Sequence, residues 1–331
     1  MKLSDIADFA GVSKATASRV ISNSRSVSPE NIKKVKAAMD KLGFTKPRKY
    51  GAKVRCIAVI MVSREAFMEY TPARWDILYG IEDSLVRQGI DMIVCQPSRT
   101  GVLPRQVLSG TVDGVILVGH TPVAETVSQV SHLPLVWINS YGSNDEHNAL
   151  IRNQVVGKLA ADYLIRRGHK HLSYLNLLSH SNCQHNDCEF FAFAAQKAGC
   201  TVCELVGDVN SPDDDELDSW KAVVAAIERE MRKLARLTPR PTGLFVPIGQ
   251  ITVLAHQLLR KVGLEPGVDI DIVGCGCENG MLASMEPMPA TVRVDIETIG
   301  RRAVEQLLWK INNPDETVST GVVVSPVLIE P

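Results

Sequence analysis

The residues best placed to do chemistry stand near the start of the chain, in the run GVSKATASRV. Lys14, Ala15, Ser18 and Arg19 form a short stretch without acids, rich in side chains that reach phosphates or base edges. A second set lies at 180–188, where His180, Cys183, His185 and Cys188 fall within nine residues. Cys and His at short spacing ligate zinc or other soft metals, and thiols near a positive group sense oxidants. The spacing matches no standard zinc pattern. The expectation is a polar loop with unliganded thiols and no cofactor, with Cys183, His185 and Cys188 as the ligands should a metal bind.

Helical spacing positions the first set. Apolar residues recur at Ile6, Ala7, Phe9 and Ala10, then at Val12, Ala17, Val20 and Ile21. Gly11-Val12-Ser13 interrupts them, so two short helices meet at a sharp turn, with Ala7 and Ala10 small enough for close approach. Ser13 is placed to cap the second helix, 14–22. The pattern predicts a helix-turn-helix whose second helix enters the DNA major groove. A third helix is expected from Pro29 to Leu42, capped by Ser28, with Glu30 at the positive dipole end and Gly43 at its close. Ile32, Val35 and Met39 form its inner stripe.

Charge agrees. Residues 1–55 hold thirteen Lys or Arg against four Asp or Glu, a balance of +9, whereas the chain carries −1, leaving −10 on residues 56–331. A basic head on an acidic body puts the phosphate-seeking surface in one place. Residues 45–55, TKPRKYGAKVR, read as a basic linker that either tracks phosphates or serves as a solvated tether.

The 331 residues suggest two or three folding units. No apolar run nears 18 residues, so no membrane span or membrane partner is expected. Asp5 and Asp8 interrupt any signal core, so a cytoplasmic location is expected. Eight cysteines then argue for free thiols. Beyond the linker, short apolar runs alternate with helical patterns. Strands are predicted at 56–62, 92–96, 114–119, 135–139, 172–178, 200–205 and from 243 and 271, with helices near 74–88, 155–167, 190–198, 215–237 and up to 264. Alternation of this kind implies parallel sheets covered on both faces, with sites at the carboxyl ends of the strands. The core lacks GxxxxGK[ST], GxGxxG and GxSxG, and no paired catalytic carboxylates can be placed, so an enzyme is not expected.

The combination resembles the LacI/GalR family of bacterial transcription regulators. The resemblance rests on LSDIADFAGVSKATASRVISN (3–23), VSPENIKKVKAAMDKLGF (27–44), GIEDSL (80–85), VDGVIL (112–117), LIRRGHKHLSYL (164–175) and PATVRVDIETIGRRAVEQLL (289–308). It implies an all-α helix-turn-helix head (1–46), a short linker (47–55) and a two-lobed α/β periplasmic-binding-protein-like core with parallel sheets (56–331). The expected lobes are 56–155 plus 290–312, and 156–289 plus 313–331. It further implies a homodimer, or a tetramer of dimers, on a palindromic operator, with repression modulated by a small metabolite between the lobes. By position, Lys14, Ala15 and Arg19 read bases, while Ser13, Thr16, Ser18, Ser28 and Asn31 make phosphate or positioning contacts.

The chain departs from the family in two places. Only nine residues separate Pro47 from Ile57, with no leucine among them, so no leucine wedge is expected and any kinking falls to Arg48, Lys49 or Tyr50. In the cleft, Asp187 stands where sugar-binding members have arginine, Phe190 replaces a glycine, Ile248-Gly249 replaces Asn-Asp, and Gly276 replaces an aspartate. A pentose or hexose held in the usual way is therefore not expected. The effector candidates are Arg74, Trp75, Gln96, Ser98, His120, Asn139, Arg152, Asn153, Asp187, Gln250 and Cys277. Arg152 suggests an anionic ligand, or else a pair with Asp187. A carbohydrate-related or anionic effector is the expectation, with metal or thiol control as the alternative.

Overall fold

A computed structural model describes residues 3–21, 27–42, 54–62, 72–98, 100–119, 124–138, 147–151, 153–177, 182–207, 216–276, 279–282, 284–316 and 318–331. These fall into two compact units, 1–54 and 55–331.

The first unit contains α1 (Leu3–Ala10), α2 (Lys14–Ile21) and α3 (Pro29–Leu42). Its core is Ile6, Ala7, Ala17, Val20, Val35 and Ala38, with Ala10, Val12, Ile32, Met39 and Leu42 packed around them. The turn from α1 to α2 depends on Gly11, whose φ of 62° lies in the left-handed region that a side chain disfavours. The Val12 N–H closes the turn on the Ala7 carbonyl at 3.0 Å.

The second unit runs β1 (Cys56–Met61), α4 (Pro72–Val86), β2 (Asp91–Cys95), α5 (Arg105–Leu108), β3 (Gly114–Val118), α6 (Ala124–Val130), β4 (Leu135–Ile138) and β5 (His147–Ile151). It continues with α7 (Asn153–Arg166), β6 (His171–Asn176), α8 (Asn182–Lys197), β7 (Thr201–Val206), α9 (Glu216–Arg236), β8 (Gly243–Val246), α10 (Gly249–Lys261), β9 (Asp271–Cys275) and α11 (Asn279–Leu282). The last elements are β10 (Ala290–Arg293), α12 (Ile296–Asn312), β11 (Gly321–Val324) and β12 (Val327–Ile329).

Among the described residues, two six-stranded sheets form, ordered β11-β5-β4-β3-β1-β2 and β12-β10-β9-β8-β6-β7. The first is parallel throughout, as in Val59 opposite Val94 and Ile57 opposite Gly114. The second is parallel except for β12, which runs antiparallel to β10. The central strands β1, β3 and β8 are buried on both faces, which is why they read as unbroken apolar runs.

The expected division of the lobes needs correction at its C-terminal end. Residues 290–293 belong to the second sheet, because Thr291 pairs with Gly274 of β9, and the chain crosses to the first lobe only after them. Residues 321–324 belong to the first sheet, with Val323 opposite Leu150, before β12 returns to the second. Backbone pairing, not sequence contiguity, decides membership. The chain thus leaves β5, β10 and β11 from their carboxyl ends to change lobe. In parallel sheets, the carboxyl ends of the neighbouring strands point the same way, toward the junction.

In the first lobe, α12 lies across α4 at a contact only glycine permits. A Cβ on Gly80 would collide with the Glu297 carbonyl, and one on Gly300 would meet the Ile77 carbonyl oxygen at 2.5 Å. Each helix offers the other a bare stretch of backbone.

Candidate nucleic-acid interface and effector cleft

In the head, α2 divides its residues cleanly. Ala17 and Val20 enter the core, while Lys14, Ala15, Ser18 and Arg19 are exposed on the opposite side. These four recur at i, i+1, i+4 and i+5, so they share one helical face. The helix carries no acid in its first turn and has Arg19 in its last. Ser13 Oγ accepts the Thr16 N–H at 3.1 Å and shares a 2.8 Å hydrogen bond with the Thr16 hydroxyl. It therefore caps α2 and helps set the angle at which Lys14 and Ala15 emerge. Ser28 Oγ accepts the Asn31 N–H at 3.4 Å, the equivalent cap on α3. Lys33, Lys36 and Lys41 extend the cationic surface from α3, and Lys34 pairs with Glu30 at 2.8 Å. That hydrogen bond and the charge of Lys34 hold the Glu30 carboxyl below its ordinary range. Arg48 and Lys49 lie outside the described residues, as does Gly43.

In the core, the structure scatters the effector candidates. Arg74 is half-buried in the first turn of α4, but Trp75 beside it is 71% exposed. With Tyr79 and Val86 it forms an outward stripe opposite Ile77, Ile81 and Leu85, so its ring faces away from the lobe's interior. Gln96 is exposed just beyond β2. Ser98 Oγ accepts the Val102 N–H at 3.0 Å, which makes it a turn residue. Gln250 is half-buried at the start of α10 and lines an open groove of about 400 Å³ with Trp220, Val253, Leu254, Gln257, Met281 and Ser284. Trp220 was missed in the sequence because it sits in an amphipathic helix, where packing explains it equally well. His120, Asn139, Arg152 and Cys277 lie outside the described residues, as does the Asn153 side chain.

The segment expected to be a loop at 180–188 is helical from Asn182, because α8 begins eight residues before the expected 190. No proline or glycine interrupts it, and its polar residues do not break a helix whose apolar face forms only later. Cys188 faces inward at 2% exposure beside Asp187 at 5%. Burial first, then the Asp187 and Glu204 carboxylates, push the Cys188 thiol well above its usual range. It stays protonated, the opposite of a reactive or metal-binding thiolate. The Cys183 and His185 side chains lie outside the described residues. Among the described residues, no three metal-ligating side chains converge.

The second lobe is pinned at the opposite, amino-terminal end of its sheet. His169 lies between Thr242 Oγ1, 2.9 Å from Nδ1, and Asp271 Oδ2, 2.8 Å from Nε2. Arg167 Nε donates to the same carboxylate at 2.5 Å. Burial acts to raise the Asp271 pKa, but the hydrogen bonds from His169 and Arg167 outweigh it and hold the carboxyl below its ordinary range. The LIRRGHKHLSYL run is thus a structural clasp.

Comparison with known proteins places these observations. Residues 2–46 match the model for bacterial regulatory proteins of the lacI family, and residues 161–330 match the periplasmic binding protein-like domain. The chain is 24% identical to the HTH-type transcriptional repressor PurR of Vibrio atlanticus, over 95% of this chain and 92% of that one. It is 24% identical to the ribose operon repressor of Escherichia coli, over 94% and 93% of the two. Its fold is similar to that of a lac repressor dimer bound to operator and the anti-inducer ONPF, with a TM-score of 0.68, 19% identity and coverage of 100% and 98%.

Proposed function

The chain belongs to the LacI family of bacterial regulatory proteins, and from that premise we propose how its parts divide the work of a DNA-binding transcriptional regulator with a small-molecule effector. The head carries sequence recognition through the exposed face of α2. Arg19 is the main base-edge contact, Lys14 and Ala15 select neighbouring bases, and Thr16, Ser18 and Asn31 fix the register on phosphates. Ser13 and Ser28 hold the helices that present them. The observation that carries this reading is the division of α2 into a buried Ala17/Val20 side and an acid-free exposed side. The regulator acts as a repressor.

The core receives the effector at the junction where both sheets turn their carboxyl ends. Effector binding changes the relation of the lobes and so the DNA affinity of the heads. A homodimer on a palindromic site is supported by the apolar stripe of Trp75, Tyr79 and Val86, which are 71%, 60% and 66% exposed on one face of α4. A tryptophan and a tyrosine left open on a single helix face suit an isologous contact with a second copy. Trp75 belongs to that contact rather than to the cleft. Without a leucine in the 48–56 stretch, the operator is bent only mildly.

Selection of binding sites from random duplex DNA, followed by titration at rising salt, tests the assignment. The expected result is a palindromic site whose affinity falls steeply as salt rises. A head that enriches no sequence in the presence or absence of any ligand would sink it.

A further inference from the structure

Around the carboxyl end of β6 the second lobe holds a polar cluster that neither DNA recognition nor packing uses. Asn176, the last residue of β6, is 2% exposed. Its Nδ2 donates to Glu204 Oε1 at 3.0 Å, which fixes the amide inside the cluster. The Oδ1 of the same amide is buried and has no hydrogen-bond partner among the described residues. A buried carbonyl oxygen without a donor is costly and uncommon, so it calls for an explanation. Tyr174 lies two residues back, opposite Glu204 in the β6–β7 ladder, with its ring edge against Phe191 of α8. Asp187 and Cys188 bound the cluster from the second turn of α8.

The electrostatics of the cluster run one way. Burial raises the Tyr174 hydroxyl pKa, and Glu204, Cys188 and Glu189 raise it further. Burial, Asp187 and Glu204 do the same to Cys188. Every charged neighbour named for either group is an acceptor, so the environment favours donors and positive charge. β7 is the edge strand of the sheet, and Glu204 and Glu189 are exposed, while the amide oxygen of Asn176 is buried.

We propose that this cluster is a subsite for an ammonium or guanidinium group on the small effector, with Asn176 Oδ1 and Glu204 as its acceptors and Asp187 as added negative charge. The inference rests on the reading that the effector binds at the carboxyl ends of the strands, and it names the chemical class: an amine-bearing metabolite in place of a plain sugar or an anion. The donorless amide separates this site from a mere group of acids, since it provides a buried acceptor for an N–H to fill.

The test uses the full-length protein with its selected operator. Thermal melts and calorimetric titrations are run with 1,4-diaminobutane, ethanolamine and L-arginine as probes. Sodium chloride at matched ionic strength, glucose and sodium acetate serve as comparisons. At least one amine is expected to raise the melting temperature saturably, beyond matched salt, and to change operator affinity. Glu204→Gln keeps the acceptor for Asn176 Nδ2 but removes the charge, and should weaken amine binding about tenfold without altering the unliganded melt. Asn176→Leu, which removes the amide oxygen, should weaken it as well. If glucose or acetate binds and moves operator affinity while no amine does, the subsite is overturned and the cleft reading survives. If amines bind but operator affinity stays fixed, the link to the effector fails and with it the proposal. Equal amine affinity in Glu204→Gln and the parent protein also overturns it.

Discussion

The head and the second lobe handle polar groups in opposite ways. In the head, the side chains proposed to read DNA are exposed on α2, and six small or mid-sized apolar residues beneath them supply the rigidity. In the second lobe, polar groups that matter are buried or half-buried at the ends of β6 and β9 and held by one another, as Asn176 is by Glu204 and Asp271 by His169 and Arg167. An exposed reader can exchange partners with little cost to folding, because water satisfies it between encounters. A buried acceptor must be satisfied from inside or by a ligand. Substitutions should therefore separate cleanly: in the head, loss of DNA discrimination with little loss of stability; in the core, loss of stability or ligand response.

The comparison is sharpest where the core tolerates least. Gly80→Val should destabilise the core by about 3–5 kcal/mol, since the new side chain meets Glu297 backbone that cannot yield. Denaturant unfolding followed separately for the two units would show the loss confined to 55–331. A change of less than about 1 kcal/mol would mean that the α4–α12 crossing is looser than its geometry indicates. Next in size, Arg19→Ala should reduce preference for the selected site over random DNA by about 1–3 kcal/mol, or roughly 5- to 150-fold. The head's melt should stay unchanged, and competition binding at fixed salt reads the difference. An Arg19→Ala protein that still discriminates fully moves the principal base contact elsewhere.

A third test uses pH. The Asp271 carboxyl is held below its unfolded value, so it contributes stability that is fully present above the unfolded carboxylate pKa near 4. That contribution is lost as pH falls through the lower folded pKa. Core stability of Asp271→Asn relative to parent, measured from pH 7 down to 3, should show a deficit that shrinks as the medium becomes acid. A deficit constant with pH would show the clasp to be steric, not ionic. The smallest effect is expected from Ser13→Ala, which removes the α2 cap and should cost the head about 1 kcal/mol. Operator affinity would fall mainly through that instability, and low temperature should restore much of it.

Much of the scaffold was legible in the sequence because its signals are local. Ser28, Pro29 and the stripe through Val35 mark α3 from Pro29 to Leu42, and the bounds coincide with those observed. Buried parallel strands such as GVILV announce themselves as unbroken apolar runs. What escaped depends on distant pairing or on a helix start without a strong cap. Strands β10 and β11 exchange lobes because of ladders to β9 and β5, and no local pattern encodes those partners. The early turns of α8 are polar, so they read as a loop and put Cys188 in water when it is buried. Within the sites, the α2 face was readable because a missing acid is visible in any window. Trp75, placed among the effector candidates, is exposed on α4, and its periodicity places it on a face but does not say what covers that face. Asn176 carried one usable signal, an amide inside the run LSYLNLL, where every other strand-end residue nearby is apolar.

The tail of the core has a consequence of its own. Within nine residues, 321–329, the polypeptide gives one outer strand to each half of the molecule. A stop codon placed just ahead of Gly321 would strip both halves at once, uncovering the β5 and β10 edges together. The two halves are thus tied to one short ribbon. Frameshifts late in the reading frame should be as damaging as deep core substitutions, even though they touch neither the junction nor α2.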